Sequence, residues 1–519
     1  MLTTHQQQLH SQVLQAIKNN QLSDAHQLLV KQLQQDATDH FCYYLLAEVN
    51  IAAGDSCKAI KLLEKALTIT AHPWYSVHLA KLMLLAGNIT AATRYYQEAV
   101  KFQGYGPLEC DIIANIATRL GDYENALKWQ KNAYKQAPEQ QKISYNLAVA
   151  YKINGQLTQA RSQLNTLLAR HPNYLPAHYS QAELNSLTEA HAHIAKLKQL
   201  VNHSLAATEQ QMLCHSLALN YEHIGDYKSA FTYFSKSKLA IKPHVNYQAS
   251  KHHAFCQQLI ALSKRCKLTP SNNEFSPIFV VGMPRSGTTL MEKIIHQSNE
   301  VTGLGELNDI AQLLQSSDNA KHVLNINTLK QAAEQFFNTN PLDAYQTRCT
   351  DIMTTERGCD KQPFNFYYID FILAAFPAAK IICMLRNPLD SCIANYRQLY
   401  NPHSAFHHYS YDLLDIANFY QDYQALAEHF QRQYPNNVLI QEYEELVTTP
   451  ILQTQSVFKF CDLHWQASCL DFYKHNSASA TASKIQIRQP LNNKSIDYWQ
   501  HYQHACNELL AKFGSRFNG

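Results

Sequence analysis

A small or turn-forming residue recurs through the first half of the chain with a period of about 34 residues, at Asn20, Gly54, Gly87, Gly121, Gly155 and Gly225. Five residues after each stands an alanine: Ala25, Ala59, Ala92, Ala126, Ala160 and Ala230. Ala195 falls at the interval where one alanine is missing, without a glycine before it. Ala66, Ala99 and Ala133 follow seven residues later, and Pro138 and Pro172 close two of the units. A Gly-Asp pair, as at Gly54-Asp55, Gly121-Asp122 and Gly225-Asp226, ends one helix and permits a tight turn into the next. The alanine marks a crossing too close for a larger side chain. A helix pair of this size cannot bury its apolar face alone, so neighbours must stack into a solenoid.

The pattern resembles the tetratricopeptide repeat, with six or seven units over residues 8–250. That resemblance implies a concave groove for a peptide or protein segment.

At 519 residues the chain exceeds what one core supports. Gly (14) and Pro (17) are scarce, as in helix-rich folds. The net charge of +3 leaves no footprint for nucleic acid or an anionic membrane, but a site for one small anion needs only two or three local charges. The 13 cysteines are scattered, with no CxxC pair, and read as small buried hydrophobes in a reducing compartment. The polar start and the lack of an 18-residue apolar run lead to the expectation of a cytoplasmic protein without export or a membrane span. Of the 26 histidines, pairs such as His252-His253 and His407-His408 form no ligand-spaced set, so no metal is expected.

Residues 267–277 are polar and turn-rich and end the repeat grammar. Beyond them short apolar runs at 278–281, 380–385 and 437–441 alternate with helical stretches. Such alternation predicts a parallel sheet with crossover helices. The expected class is α plus α/β: a helical solenoid over 1–265, a linker over 266–276 and a P-loop-like α/β domain over 277–519.

The run at 277–281 leads into Gly282-Met283-Pro284-Arg285-Ser286-Gly287-Thr288-Thr289-Leu290, and a helical pattern follows. Strand, glycine-containing loop and helix N-terminus together hold a phosphate-like anion through backbone N–H groups and the helix dipole. Gly282 and Gly287 fit GxxxxG, yet Thr288 stands where a nucleotidase loop has lysine. The charge sits at Arg285 instead. An arginine fork with Ser and Thr hydroxyls suits a compact oxyanion without metal.

The stretch resembles the 5′-phosphosulfate loop of sulfotransferases, near the tyrosylprotein sulfotransferase branch and bacterial sulfotransferases that carry tetratricopeptide repeats. That resemblance implies 3′-phosphoadenosine 5′-phosphosulfate as cosubstrate, held by Arg285, Ser286, Gly287, Thr288 and Thr289. In Lys380-Ile381-Ile382-Cys383-Met384-Leu385-Arg386-Asn387-Pro388 a strand ends in an arginine at the carboxyl edge of the sheet. The resemblance makes Arg386 a contact of the donor's 3′-phosphate. A serine usually follows that arginine by eight residues, but this chain has Ala394, so Ser391 becomes the candidate. A later family arginine is displaced, with Gln398 in its place and Arg397 beside it.

Further matches assign further roles. Glu306 follows Arg285 by 21 residues, the interval of the family's general base. Lys361 precedes Arg386 by 25 residues and resembles the lysine that stabilises the leaving phosphate. Tyr443 resembles the aromatic residue lining the adenine pocket. In the stretch from Thr481 to Asn492, Ser483 aligns with a transition-state hydroxyl, and Arg488 or Lys494 with a 3′-phosphate contact. The implied function is sulfuryl transfer to an acceptor hydroxyl, with a protein tyrosine as candidate and the repeats holding the acceptor protein, peptide or other hydroxyl-bearing molecule. The alternative is a repeat scaffold with a degenerate transferase domain.

Overall fold

The computed structural model describes residues 4–201, 205–265, 270–315, 324–335, 342–474 and 489–514. In chain order, fourteen helices of 8 to 17 residues run from Thr4–Lys18 to Tyr227–Ile241, followed by the helix Ala249–Arg265. The recurrent turn residue has positive φ throughout: 58° at Asn20, 82° at Gly54, 76° at Gly87, 81° at Gly121, 75° at Gly155 and 79° at Gly225. Glycine reaches that region without strain and so ends one helix. The next residue begins its successor. Asp55, Asn88, Asp122 and Asp226 accept the backbone N–H groups of Lys58, Ala91, Asn125 and Ser229.

The repeat alanines at 25, 59, 92, 126, 160 and 230 are all buried. Ala195 differs from expectation, because its side chain is exposed. Ala190 is buried instead, four residues after the cap Ser186, as Ala59 follows Asp55. The preceding helix, Leu175–Ala182, has only 8 residues and leads into a turn without glycine, which shifts the phase of that unit.

Two compact units divide the chain, Met1–Asn154 and Gly155–Gly519. The second holds the helices from Leu157 to Arg265 together with a five-stranded sheet. Its strands are β1 (Ile278–Gly282), β2 (Val301–Gly305), β3 (Arg357–Asp360), β4 (Lys380–Leu385) and β5 (Val438–Glu442), in the order β2-β3-β1-β4-β5. All pairs are parallel, and Ile278 lies between Cys359 on one side and Lys380 on the other. The chain leaves β1 for one edge, returns through β3, then crosses to β4. The direction of winding reverses beside β1, and such sheets bind ligands at the carboxyl ends there.

Helices of the last repeats share a buried core with this sheet. Phe234, Phe255 and Leu259 belong to the same apolar cluster as Phe279, Val281, Tyr367 and Phe419. Polar ties cross the same contact: His252 Nδ1 lies 2.8 Å from Asp422 Oδ2, and Ser263 Oγ donates to Gln433 Oε1 at 2.9 Å. Packing is therefore continuous where the local grammar changes. Of the twelve cysteines in the described residues, all are free and only Cys57 is exposed. Among the described residues no helix is long and apolar enough to cross a membrane.

Candidate active site

Each of the five strands ends at a residue singled out by sequence. Arg285 follows β1 in the loop, Glu306 follows β2, Lys361 follows β3, Arg386 follows β4 and Tyr443 follows β5. The parallel sheet thus gathers residues up to 158 positions apart (285 to 443) at one edge.

The loop after β1 is tightly wound. Arg285 has φ 72° and Gly287 φ 98°. A Cβ on Gly287 would lie 2.7 Å from Tyr443 Cδ2, and one on Gly282 would lie 2.8 Å from Ser286 Oγ. Only glycine admits this approach of loop to ring. Ser286 is 1% exposed, and its Oγ has no hydrogen-bond partner among the described residues. A buried hydroxyl without a partner is rare in a folded chain and marks a position for an acceptor atom. Thr288 and Thr289 open the helix Thr288–Ile295.

Arg386 joins the loop to the C-terminal segment. Its Nη1 donates to the Arg285 carbonyl at 3.0 Å and its Nη2 to the Ser495 carbonyl at 2.5 Å. Its guanidinium carbon lies 4.9 Å from the centre of the Tyr443 ring, and its buried Nε has no partner among the described residues. Asp390 sits one turn on, 3.9 Å from Arg386 Nη2, and accepts the N–H groups of Asp497 and Trp499 at 2.8 Å each. Burial raises the Asp390 carboxyl, with Arg386 opposing.

These residues border a cavity of about 320 Å³ lined by Arg285, Thr288, Thr289, Arg386, Arg397, Tyr443 and Lys494, among others. Arg285 is held below the ordinary arginine range, first by burial and then by Arg386 and Arg397. Arg386 and Arg397 share this cavity with Arg285, with Arg397 paired to Glu222 and Arg386 near Asp390.

At the other end of the edge, Lys361 Nζ forms an ion pair with Glu306 Oε1. Lys361 is buried to 1% exposure while Glu306 is 48% exposed, so the pair joins the interior to the solvent side. The Lys361 N–H donates to the Gly305 carbonyl at 2.8 Å, fixing the two strand ends together. Asp360 was not foreseen as part of this site. Burial pushes its carboxyl up to about 8, against hydrogen bonds from Leu307 N–H and Tyr345. A strand that closes on adjacent acid and base was the available signal.

Other expected residues lie elsewhere. Ser391 is fully buried, and its Oγ donates to the Arg386 carbonyl at 3.4 Å. The helix Pro388–Tyr396 turns that side chain into the core, behind the cavity wall. Ala394 and Arg397 line the wall instead. The Gln398 carbonyl accepts Lys238 Nζ at 2.8 Å. Lys494 is exposed and borders the cavity. Ser483 and Arg488 lie outside the described residues.

Residues 277–467 match the Sulfotransferase family, and residues 117–184 match the Tetratricopeptide repeat. Protein-tyrosine sulfotransferase A of Caenorhabditis elegans is 26% identical over 246 residues, covering 44% of this chain and 62% of that protein. An uncharacterized protein of Aquifex aeolicus (strain VF5) is 28% identical over 380 residues, covering 69% of this chain and 48% of that protein. The chain thus spans 48% and 62% of the lengths of these two curated relatives. The sulfotransferase domain of the Synechococcus PCC 7002 olefin synthase overlaps 45% of this chain and 90% of its own, at 18% identity and a TM-score of 0.33. Residues 277–467 are thus similar to the sulfotransferase family, and a match to the tetratricopeptide repeat precedes them in the chain.

Proposed function

We propose that the domain moves a sulfuryl group from 3′-phosphoadenosine 5′-phosphosulfate to an acceptor hydroxyl, with a protein tyrosine as the acceptor. The observation that carries this reading is the meeting of Arg285, Arg386, Thr288 and Thr289 around one cavity, with the buried Ser286 hydroxyl in the same loop. The donor set fits a nucleotide bearing phosphate and phosphosulfate. It offers guanidinium, hydroxyl and backbone N–H groups, which bind oxyanions without a bridging cation.

When bound, the donor supplies an activated sulfuryl group and a phosphate leaving group. Arg285, Ser286, Gly287, Thr288 and Thr289 hold the 5′ end. Arg386, with Arg488 or Lys494, takes the 3′-phosphate. Ser391 supports this set only through the Arg386 carbonyl. Tyr443 lines the base, its ring already packed against Arg386. Ser483 contributes a hydroxyl at the transferring group.

Glu306 removes the acceptor proton. A phenol has a pKa of about 10, so its proton must leave as the new bond forms. Proton uptake neutralises Glu306 and loosens its hold on Lys361. The lysine charge is then available to the departing phosphate. One ion pair thereby links deprotonation of the acceptor to support of the leaving group.

The tetratricopeptide repeats hold the acceptor protein. The buried, free thiols favour the cytoplasm as the place of action. Intact-mass measurement of a tyrosine peptide incubated with the chain and donor tests the reading. The expected result is one sulfuryl adduct, lost when the tyrosine is replaced by phenylalanine. Turnover confined to small phenols would overturn the protein acceptor. Neither turnover nor nucleotide binding would favour the inactive scaffold, for which Ala394 in the cavity wall is the specific observation.

A further inference from the structure

We propose that Glu222, on a repeat helix, positions Arg397 in the wall of the donor cavity, so that the last repeat pair completes the nucleotide site. This inference rests on the reading of that cavity as the donor pocket.

Glu222 lies near the end of the helix Ala207–His223. Its carboxylate accepts Arg397 Nη2 at 2.6 Å, Tyr498 OH at 2.9 Å and Tyr502 OH at 2.5 Å. Arg397 and Tyr498 both line the cavity. The Arg397 guanidinium carbon stands 4.5 Å from the centre of the Tyr498 ring, and its buried Nε has no partner among the described residues. The repeat carboxylate and the ring therefore fix the plane of the fork, while one donor stays uncommitted. Burial pushes the Glu222 carboxyl up, but Arg397 and the two phenols outweigh it and the net shift is down. Glu222 thus meets Arg397 as an anion.

A second grip comes from the paired helix Tyr227–Ile241. Lys238 Nζ donates to the Gln398 carbonyl at 2.8 Å and stands 5.7, 5.7 and 5.1 Å from the ring centres of Tyr396, Tyr400 and Tyr411. Tyr400 OH donates to Asn395 Oδ1 at 3.0 Å, and Asn395 Nδ2 donates to the Pro284 carbonyl at 2.8 Å. Pro284 directly precedes Arg285. Both helices of the last pair hold residues 395–400, and that segment reaches the anion loop. A side chain that only filled space would not need a carboxylate shared by three donors. Orienting a cavity arginine does.

Calorimetric titration of the full chain with adenosine 3′,5′-bisphosphate tests the proposal. Glu222→Gln should weaken binding about tenfold. Glu222→Asp should recover part of it. Arg397→Gln should weaken binding as well, and the Glu222→Gln/Arg397→Gln double variant should bind no more weakly than Arg397→Gln alone, because Glu222 acts through Arg397. A purely structural role would lower the melting temperature of Glu222→Gln and leave its affinity within about twofold of wild type. That outcome, or additive losses in the double variant, overturns the proposal. Hydrogen exchange on the wild type decides even if a variant does not fold. Saturating bisphosphate should slow exchange in Ala207–His223, and unchanged exchange there counts against the coupling. If the wild type binds no bisphosphate, the donor reading itself falls, and this inference with it.

Discussion

Arg386 Nη1 donates to the carbonyl oxygen of Arg285 at 3.0 Å, tying the end of β4 to the loop after β1 across 101 residues of sequence. The same guanidinium reaches the Ser495 carbonyl, so one side chain fixes the loop and the C-terminal segment around the cavity. A lysine has no planar fork and cannot keep both bonds in that geometry. Arg386→Lys should lose about 2 kcal/mol of bisphosphate binding, roughly thirtyfold in Kd. Calorimetry checks this, and an affinity equal to wild type would contradict it.

Gly287 makes a second test of the loop. Its φ of 98° disfavours any Cβ, and an added methyl would press on Tyr443 Cδ2 at 2.7 Å. Gly287→Ala should lower stability by about 1–3 kcal/mol and weaken nucleotide binding by displacing the ring. Chemical denaturation and titration measure the two effects separately.

The base and the binding site should separate in a variant of Glu306. Glu306→Gln keeps size and polarity but cannot take a proton. Turnover should fall about a hundredfold or more, while bisphosphate should bind no more weakly than to wild type, because the neutral side chain leaves the Lys361 charge available. A variant that turns over normally would remove Glu306 from the mechanism.

Asp360 gives a pH test with a definite sign. Its carboxyl is pushed up to about 8 by burial, from 3.8. Between roughly pH 4 and pH 8 the native state binds a proton that the unfolded state does not, so this group's contribution to stability falls as pH rises. Asp360→Asn removes the titration. Relative to wild type it should be more stable at about pH 8 than at about pH 5. Melting curves that shift in parallel at the two values would contradict the assignment.

The legible parts of the fold were those written locally. The Gly-Asp turns carry both the positive φ that ends one helix and the cap that starts the next, so six neighbouring residues, such as Gly54 to Ala59, announce a repeat. The loop, β1, β4 and β5 were legible for the same reason, since each is a continuous apolar run or motif. β2 (Val-Thr-Gly-Leu-Gly) and β3 (Arg-Gly-Cys-Asp) were not, because they are short, glycine-bearing and held by their neighbours in the sheet. Ala190 was missed in favour of Ala195 because a short helix altered the phase. Nothing local connects Glu222 with Arg397, 175 residues away, or Lys238 with Gln398, 160 residues away. Such pairs exist only once the repeats pack on the sheet. For Asp360 the residue was visible, but its neutral state depends on burial.

Shared packing predicts how the chain divides. Phe234, Phe255 and Leu259 lie in the core of the sheet domain, so a fragment of residues 277–519 would expose that face. It should be insoluble, whereas residues 155–519 should fold cooperatively. Circular dichroism and thermal melting of the two fragments decide. A stable 277–519 fragment would contradict the shared core.

The central claim is that a cluster of arginines at the sheet edge binds an adenine nucleotide bearing 3′ and 5′ anionic groups without a metal. Titration of the full chain with adenosine 3′,5′-bisphosphate in the presence of a chelator tests it most directly. The account predicts one saturable site with micromolar or tighter affinity, lost in Arg285→Ala and competed by the sulfated donor. No binding with chelator present, or binding of ATP with magnesium in preference, would contradict it.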